Sequence, residues 1–442
     1  MPPQYAPSLR SRLAPLLLFL QTGFIIIFAF YTEIERNGNA DDFSKRYPEF
    51  QDVNVIVILG FGFLGTFLVR HGFSGSGFNL LVAAMATQWA LILNGVESLY
   101  YRGRLRIDLK SLIVAEMCTA SALISIGAVL GKTNPVHLIL IGLLEVSGFI
   151  LNKWLLQFLL NTRPLISIMM LHIFGSLFGL MLTGTLYRKG SEQRFEKEKF
   201  DTKMGLFSML GTVVLWMFWP SFNSVLVDDR TPGRKLEAVC STYLALAVSA
   251  VTAAAMSVLS NPKGKLHLIH LQSCILAGGV AVGVSMSAVR HPWEAMIIGF
   301  AAAIISSIGF QYLKIHMLLA FQCHDTCAIL SSHALPGLLG WIAHLVLQIK
   351  DSDDHTVAIR FAVFHICSLL ITIALSVTLG ILTGTVCLNL YSSSRYSQCA
   401  VFFISFISLF EGLLIRLKFW RPPQYKNCFD DQAFWEVCSH LL

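Results

Sequence analysis

Apolar runs of roughly the length that crosses a bilayer follow one another along most of the chain, broken by short polar stretches. A helix needs about 20 residues to span the hydrocarbon core. On that measure the pattern predicts twelve spans, at 13–31, 53–69, 78–96, 111–131, 136–160, 165–186, 204–227, 239–259, 268–289, 292–313, 327–347 and 361–390. The polar segment 188–203 divides them six and six. A further apolar run, 399–415, lies beyond the last span. The fold expected is all-α and polytopic, embedded in a membrane.

Two of these spans share a local pattern. His172 opens H-x-F-G-S-L-F-G, ending at Gly179, and His333 opens H-x-L-P-G-L-L-G, ending at Gly340. Each histidine precedes a glycine by seven residues, with Leu177 or Leu338 at the fifth step. A titratable side chain in a spanning helix is costly and usually faces a protein interior or a water-lined path. The histidines fall on the sixth and eleventh spans. If the first span is an addition, spans two to six and seven to eleven form two five-helix halves, each ending in its histidine helix. Five is odd, so the second half is inverted relative to the first. Runs of small residues, Gly60, Gly62 and Gly65, then Ala277, Gly278, Gly279, Ala281 and Gly283, suit close helix packing.

Composition agrees: 55% of the 442 residues are hydrophobic and 13% charged, against about 25% charged in a soluble domain. The net charge of +7 is spread over short loops, so it speaks to topology rather than to nucleic acid. Arg10, Arg12, Arg70, Lys132, the 188–203 loop, Lys263, Lys265 and Lys314 fall on one side. The positive-inside rule makes that side, with the N-terminus, cytoplasmic, although the opposing loop 102–110 is also basic. The stretch 33–49 is then extracellular. The first run lacks a small-residue cleavage site and reads as a signal anchor. No N-x-[ST] sequon occurs, so no N-glycan is expected.

Candidate chemistry is sparse. Cys118, Cys240, Cys274, Cys367 and Cys387 lie inside spans, where cysteine acts as a small hydrophobe. Cys323, His324, Asp325 and Cys327 form a C-H-x-x-C arrangement that lacks the second ligand pair of a zinc site; no metal or cofactor is expected. A neutral imidazole offers one donor and one acceptor. Two facing imidazoles, His172 and His333, can share a hydrogen bond and line a narrow path that passes a small neutral molecule while rejecting bare ions. Phe222, in Trp216–Asn223, suits a gate at the mouth of such a path, but four aromatics and a proline near a span end also suit an interfacial belt. Glu116 and Glu145 are expected to face the interior, in conduction or paired with serines or Lys153. No phosphate-binding loop, nucleophile elbow or metalloprotease signature is present, so a channel or facilitator is expected rather than an enzyme.

The chain resembles the Rh proteins of the ammonium transporter superfamily over nearly its full length. The resemblance is carried by LISIGAVLGK (123–132), LWMFWPSFNSVL (215–226), TYLALAVSAVTA (242–253), LAGGVAVG (276–283), HDTCAILSSHALPGLLG (324–340) and FDDQAFWEV (429–437). Within the family it is most similar to the erythroid Rh blood group polypeptides. The resemblance implies a plasma-membrane trimer of the erythrocyte, each subunit with its own pore for ammonia, with carbon dioxide as a second gas. It implies that His172 and His333 are the twin pore-lining histidines and that Phe222 is one of two gate phenylalanines. Met117 occupies the other gate position, and Pro164 stands where the family carries a vestibule acid eight residues before the first histidine. The alternative it implies is a non-conducting structural subunit, assembled with a glycosylated Rh homologue and tied to the cytoskeleton through an adaptor such as ankyrin. The expected layout is a transporter-like domain over 1–390, with an added helix at 13–31, repeats at 53–186 and 204–347 and a last helix at 361–390. An atypical apolar insertion follows at 391–416 and then a cytoplasmic tail at 417–442.

Overall fold

The computed structural model describes residues 13–35, 40–67, 72–186, 202–227 and 233–389, together with Leu9, Asp431 and Trp435. Among them, twelve helices are long and apolar enough to cross a membrane: α1 (Ala14–Tyr31), α2 (Phe43–Phe67), α3 (Gly72–Arg102), α4 (Leu109–Val129), α5 (Pro135–Leu160), α6 (Pro164–Thr185), α7 (Lys203–Ser224), α8 (Arg234–Leu259), α9 (Leu268–Ser285), α10 (Pro292–Phe321), α11 (Leu330–Lys350) and α12 (His355–Cys387). The main departure from the sequence reading is at α2. Helix begins at Ala40, inside the stretch expected to be an extracellular loop, because the polar residues before Val53 continue the helix beyond its apolar part. A short parallel ladder, Thr32–Ile34 with Leu105–Ile107, ties the end of α1 to the turn before α4. The insertion expected at 391–416 lies outside the described residues.

In lipid, helices gain little from hydrophobic contact with each other, so small residues and buried hydrogen bonds hold the bundle. The same devices recur in both halves. In the first, Gly179 on α6 lets the helix close on α4: a Cβ there would lie 2.7 Å from Ser125 O. In the second, Gly340 on α11 lies directly against Ala281 O of α9. Gly142 on α5 approaches Val82 of α3, and Gly299 on α10 approaches Ala245 O of α8, where a Cβ would sit at 2.5 Å. These matched contacts pair α4 with α6 as α9 with α11, and α3 with α5 as α8 with α10, the relation expected of two repeats. The added α1 is fixed to α3 by reciprocal amide hydrogen bonds between Gln21 and Gln88, 2.8 and 3.1 Å, and by Phe24 stacked on Trp89. The long α12 packs on α5 and α6 through Gly148, Gly380 and Gly384.

Polar side chains bind the ends of the helices on the face where α4, α6 and α12 finish. Lys132 Nζ donates to Ala128 O at 2.7 Å, to Thr183 Oγ1 at 2.9 Å and to His324 O. Trp435 and Asp431 reach this face too. The Asp431 carboxylate accepts from the Ser74 and Phe73 N–H groups (2.8 and 3.1 Å), and Trp435 Nε1 donates to Ser74 Oγ at 3.1 Å. The α3 start, where they dock, lies against Met204 at the start of α7, on the same side as the end of α12.

Candidate functional site

Both histidines sit where their helices are irregular, for local reasons. In α6 the helical run Pro164–Met169 ends one residue before a second run starts at Leu171, so His172 occupies the first turn of the second. In α11, Leu330–Ala334 is π-helical and holds His333. Pro336 follows; a proline lacks an N–H and crowds the carbonyl four residues back, and one wide turn ahead of it relieves that. The Leu335 N–H accordingly reaches Leu330 O. The π-turn starts against Asp325, fully buried, whose carboxylate accepts from the Ile329 and Leu330 N–H groups at 2.9 and 2.8 Å. Asp325 of the C-H-x-x-C stretch is thus a helix cap. Among the described residues no group of three or more His, Cys, Asp or Glu side chains is placed to hold a metal. Ala328, at φ +56°, makes the turn between cap and helix.

These two irregular turns bring the imidazoles together in the bundle. Their ring centroids are 5.3 Å apart and their planes 6° from parallel, with His172 0% and His333 3% exposed. Trp219 stacks on His172 at 5.9 Å and 16°, Phe222 tilts against the same ring at 6.4 Å, and Phe61 stacks on His333 at 6.2 Å. Among the described residues, neither nitrogen of His172 has a hydrogen-bond partner, nor does Nδ1 of His333. The rings do not share the hydrogen bond that facing imidazoles can form: the planes lie parallel, and among the described residues His172 Nδ1 and Nε2 both lack a partner. An unpaired buried polar atom costs about 1–3 kcal/mol, a cost normally avoided unless the group has a use. A cavity of about 50 Å³ adjoins His333, walled by Phe61, Phe78, Ile329, Cys327 and Ser332.

The other candidate residues fall into place around this pair. Phe222 is buried against His172 with Trp219, so neither belongs to an interfacial belt, while Met217, two residues before Trp219, is 60% exposed. Met117 is fully buried on α4 in the same apolar cluster. Pro164 is exposed at the first turn of α6 and lines a larger cavity at that end. Glu145 takes the serine partner foreseen for it, accepting from Ser121 Oγ at 2.5 Å, but Lys153 bonds Asn94 Oδ1 instead of a glutamate. Glu116 is buried with Oε2 unpartnered. Ser125 Oγ donates to Gly175 O at 2.7 Å, fixing the helix of His172 to α4. Trp219 and Phe61 are stacking partners of the pair that hydropathy alone does not single out. Trp219 stands three residues before Phe222, one helical turn, which was the available signal; Phe61 has none, because its contact crosses from α2 to α11.

Inverted five-helix halves around a buried, paired-imidazole centre define a polytopic membrane protein of the transporter class. The chain belongs to the ammonium transporter family: the Ammonium Transporter Family profile matches residues 13–394. It is 35% identical over 451 residues to ammonium transporter Rh type C of Canis lupus familiaris, covering 97% of this chain and 94% of that one. It is also 35% identical over 432 residues to ammonium transporter Rh type A of Bos taurus, covering 95% and 93%. Among solved structures, Nitrosomonas europaea Rh50, described with the mechanism of conduction by the Rhesus protein family of channels, aligns with a TM-score of 0.69 at 27% identity over 86% of this chain and 98% of that one. Saccharomyces cerevisiae Mep2 shares the fold at 16% identity, TM-score 0.63, over 83% and 93%.

Proposed function

We propose that the protein is an Rh-type ammonia channel, with one path per subunit running past His172 and His333 and with carbon dioxide as a second permeant gas. The observation that carries this reading is the pair of parallel, buried imidazoles, of which both His172 nitrogens and His333 Nδ1 are left without partners among the described residues. Such nitrogens can receive and release one small hydrogen-bonding molecule at a time, at the cost of desolvating only a neutral species. The cavity beside His333 is of a size for one such molecule. Phe222 gates the path at one end together with Met117, and ammonium loses its proton before that gate. The protein transports and does not catalyse. It sits in the plasma membrane of the erythrocyte with its N-terminus in the cytoplasm. It forms a trimer, homomeric or with a glycosylated Rh homologue, and its tail, from 417 on, stays on the cytoplasmic side. The docking of Asp431 and Trp435 at the face where α12 ends supports that side for the tail.

A second reading draws support from two side chains. Pro164 offers no carboxylate to attract ammonium, and Met117 lacks the flat π face for a cation–π contact. On that reading the chain is a non-conducting structural subunit, held with a glycosylated Rh homologue and an ankyrin-type adaptor. Methylammonium uptake into vesicles of the purified protein separates the two. Flux above protein-free vesicles, lost in both His172→Ala and His333→Ala, is expected; no flux would remove the channel reading, and unchanged flux in the variants would remove the histidines from it.

A further inference from the structure

A cavity of about 850 Å³ opens at the Pro164 end of the bundle, walled by α2, α4, α6, α7, α8 and the end of α9. Its charges are unequal. Lys45, Arg46, Lys110, Arg163, Arg234 and Lys235 line it against only two described carboxylates, Glu49 and Glu237. Both carboxylates are taken: Glu49 by Lys235, and Glu237 by Arg234 at 2.8 Å, whose Nη2 also donates to Ser287 O at 3.1 Å. Among the described residues, Lys45, Lys110 and Arg163 have no carboxylate within ion-pair distance. They arrive from α2, from α4 and from the residue that leads into α6, so their meeting is set by the fold rather than by one charged stretch of chain. A recess lined by one sign of charge between low-dielectric walls concentrates ions of the other sign.

We propose that this cavity binds a soluble, multivalent oxyanion of the phosphate type. The planar fork of Arg163 suits paired oxygens, and the two ammonium groups supply compact point charges beside it. The volume falls in the range of small-molecule sites, about 300–1,000 Å³, and exceeds what a monatomic ion needs. The apolar part of the wall comes from Ala238 on α8, from Val225 just past the end of α7, and from Met286 and Val289 just past the end of α9, all in the second half. The site therefore sits between helices and takes its anion from solution rather than from a lipid headgroup. Its field repels ammonium at this mouth and leaves neutral gases untouched, and a bound anion cancels that repulsion. The proposal does not depend on whether the chain conducts.

The test is calorimetric titration of the full chain, in nanodiscs of phosphatidylcholine, with inorganic pyrophosphate at low salt. Saturable binding that weakens as salt rises is expected. Arg163→Gln and Lys110→Gln should each lower affinity about tenfold, as for loss of one charge-assisted contact, while Lys350→Gln, outside the cavity, should not. Lys45→Gln serves if either variant fails to fold, as judged by its thermal unfolding. Absence of saturable binding, or binding indifferent to these substitutions, overturns the proposal. Loss of pyrophosphate binding in nanodiscs containing phosphatidic acid overturns it in favour of a lipid ligand.

Discussion

Replacing Gly179 with alanine tests whether close approach of α4 and α6 positions His172. The new Cβ would lie 2.7 Å from Ser125 O, 2.9 Å from Ser125 Cα and 3.0 Å from Ile329 Cδ1. Two of the three are backbone atoms of a buried helix and cannot swing aside. Restoring ordinary contact at about 3.4 Å requires the helices to part by about 0.7 Å. Alanine in place of a helical glycine by itself stabilises by about 0.5–1 kcal/mol, whereas overpacking costs about 1–3 kcal/mol, and strain on the Ser125–Gly175 hydrogen bond adds to the cost. Overpacking wins, by about 1–2 kcal/mol. Gly23, with nothing within 4 Å of its Cβ position, supplies the control in which propensity alone acts. The measurement is thermal unfolding of both variants in one detergent, followed by methylammonium uptake. Gly179→Ala should unfold several degrees below wild type and lose flux, while Gly23→Ala should match or exceed wild type in both. If Gly179→Ala is as stable and as active as Gly23→Ala, the helix contact does not set the histidine geometry.

Three further outcomes follow from the same contacts. Asp325→Ala leaves the buried N–H groups of Ile329 and Leu330 without an acceptor, which costs about 1–3 kcal/mol each; Asp325→Asn retains one acceptor and should fall between, as read by thermal unfolding. Trp435→Ala, or Gly77→Ala, whose Cβ would strike the Trp435 ring, should speed protease cleavage of the tail, and equal rates would mean that the tail is not held there. His267, just before α9, accepts from the His270 N–H at 3.2 Å. Its pKa is held below 6.5 by burial first and by the Lys314 ammonium second. The unfolded chain then binds a proton that the folded chain resists, so stability is complete above about pH 6.5 and declines as pH falls from there toward the lowered value. His267→Gln should flatten that decline, and an identical pH profile would exclude this residue as its source.

The spans were legible because lipid demands of a spanning helix one pattern, a long apolar run, and the chain repeats it. The repeat was legible from two histidines and two glycines at equal spacing, and Gly179 and Gly340 do occupy matching backbone contacts. What the sequence did not show is the relation between residues on different helices. Nothing near His333 announces that Phe61, far upstream, will cover its ring. Whether the imidazoles share a hydrogen bond was hidden for the same reason: ring orientation follows from the break before Leu171 and the π-turn at Leu330–Ala334, neither of which is written in hydropathy. Trp219 and Phe222 were ambiguous because a buried aromatic and an interfacial one look alike in a span that is apolar on all sides. The start of α2 was misplaced because polar residues extend a helix past the bilayer as readily as they end it.

The separation of His172 and His333 along the chain has a consequence for biosynthesis. The two rings meet across 161 residues, so when α6 leaves the ribosome the second half does not yet exist. At roughly 5–20 residues per second, roughly 8–32 s pass before α11 emerges. Throughout that interval the first half must wait in or beside the insertion machinery with the His172 imidazole uncovered by Trp219, Phe222 and His333, all of which come later in the chain. A chain cut anywhere between the two histidines would present that same unfinished surface, and it is the surface a membrane quality-control protease would meet.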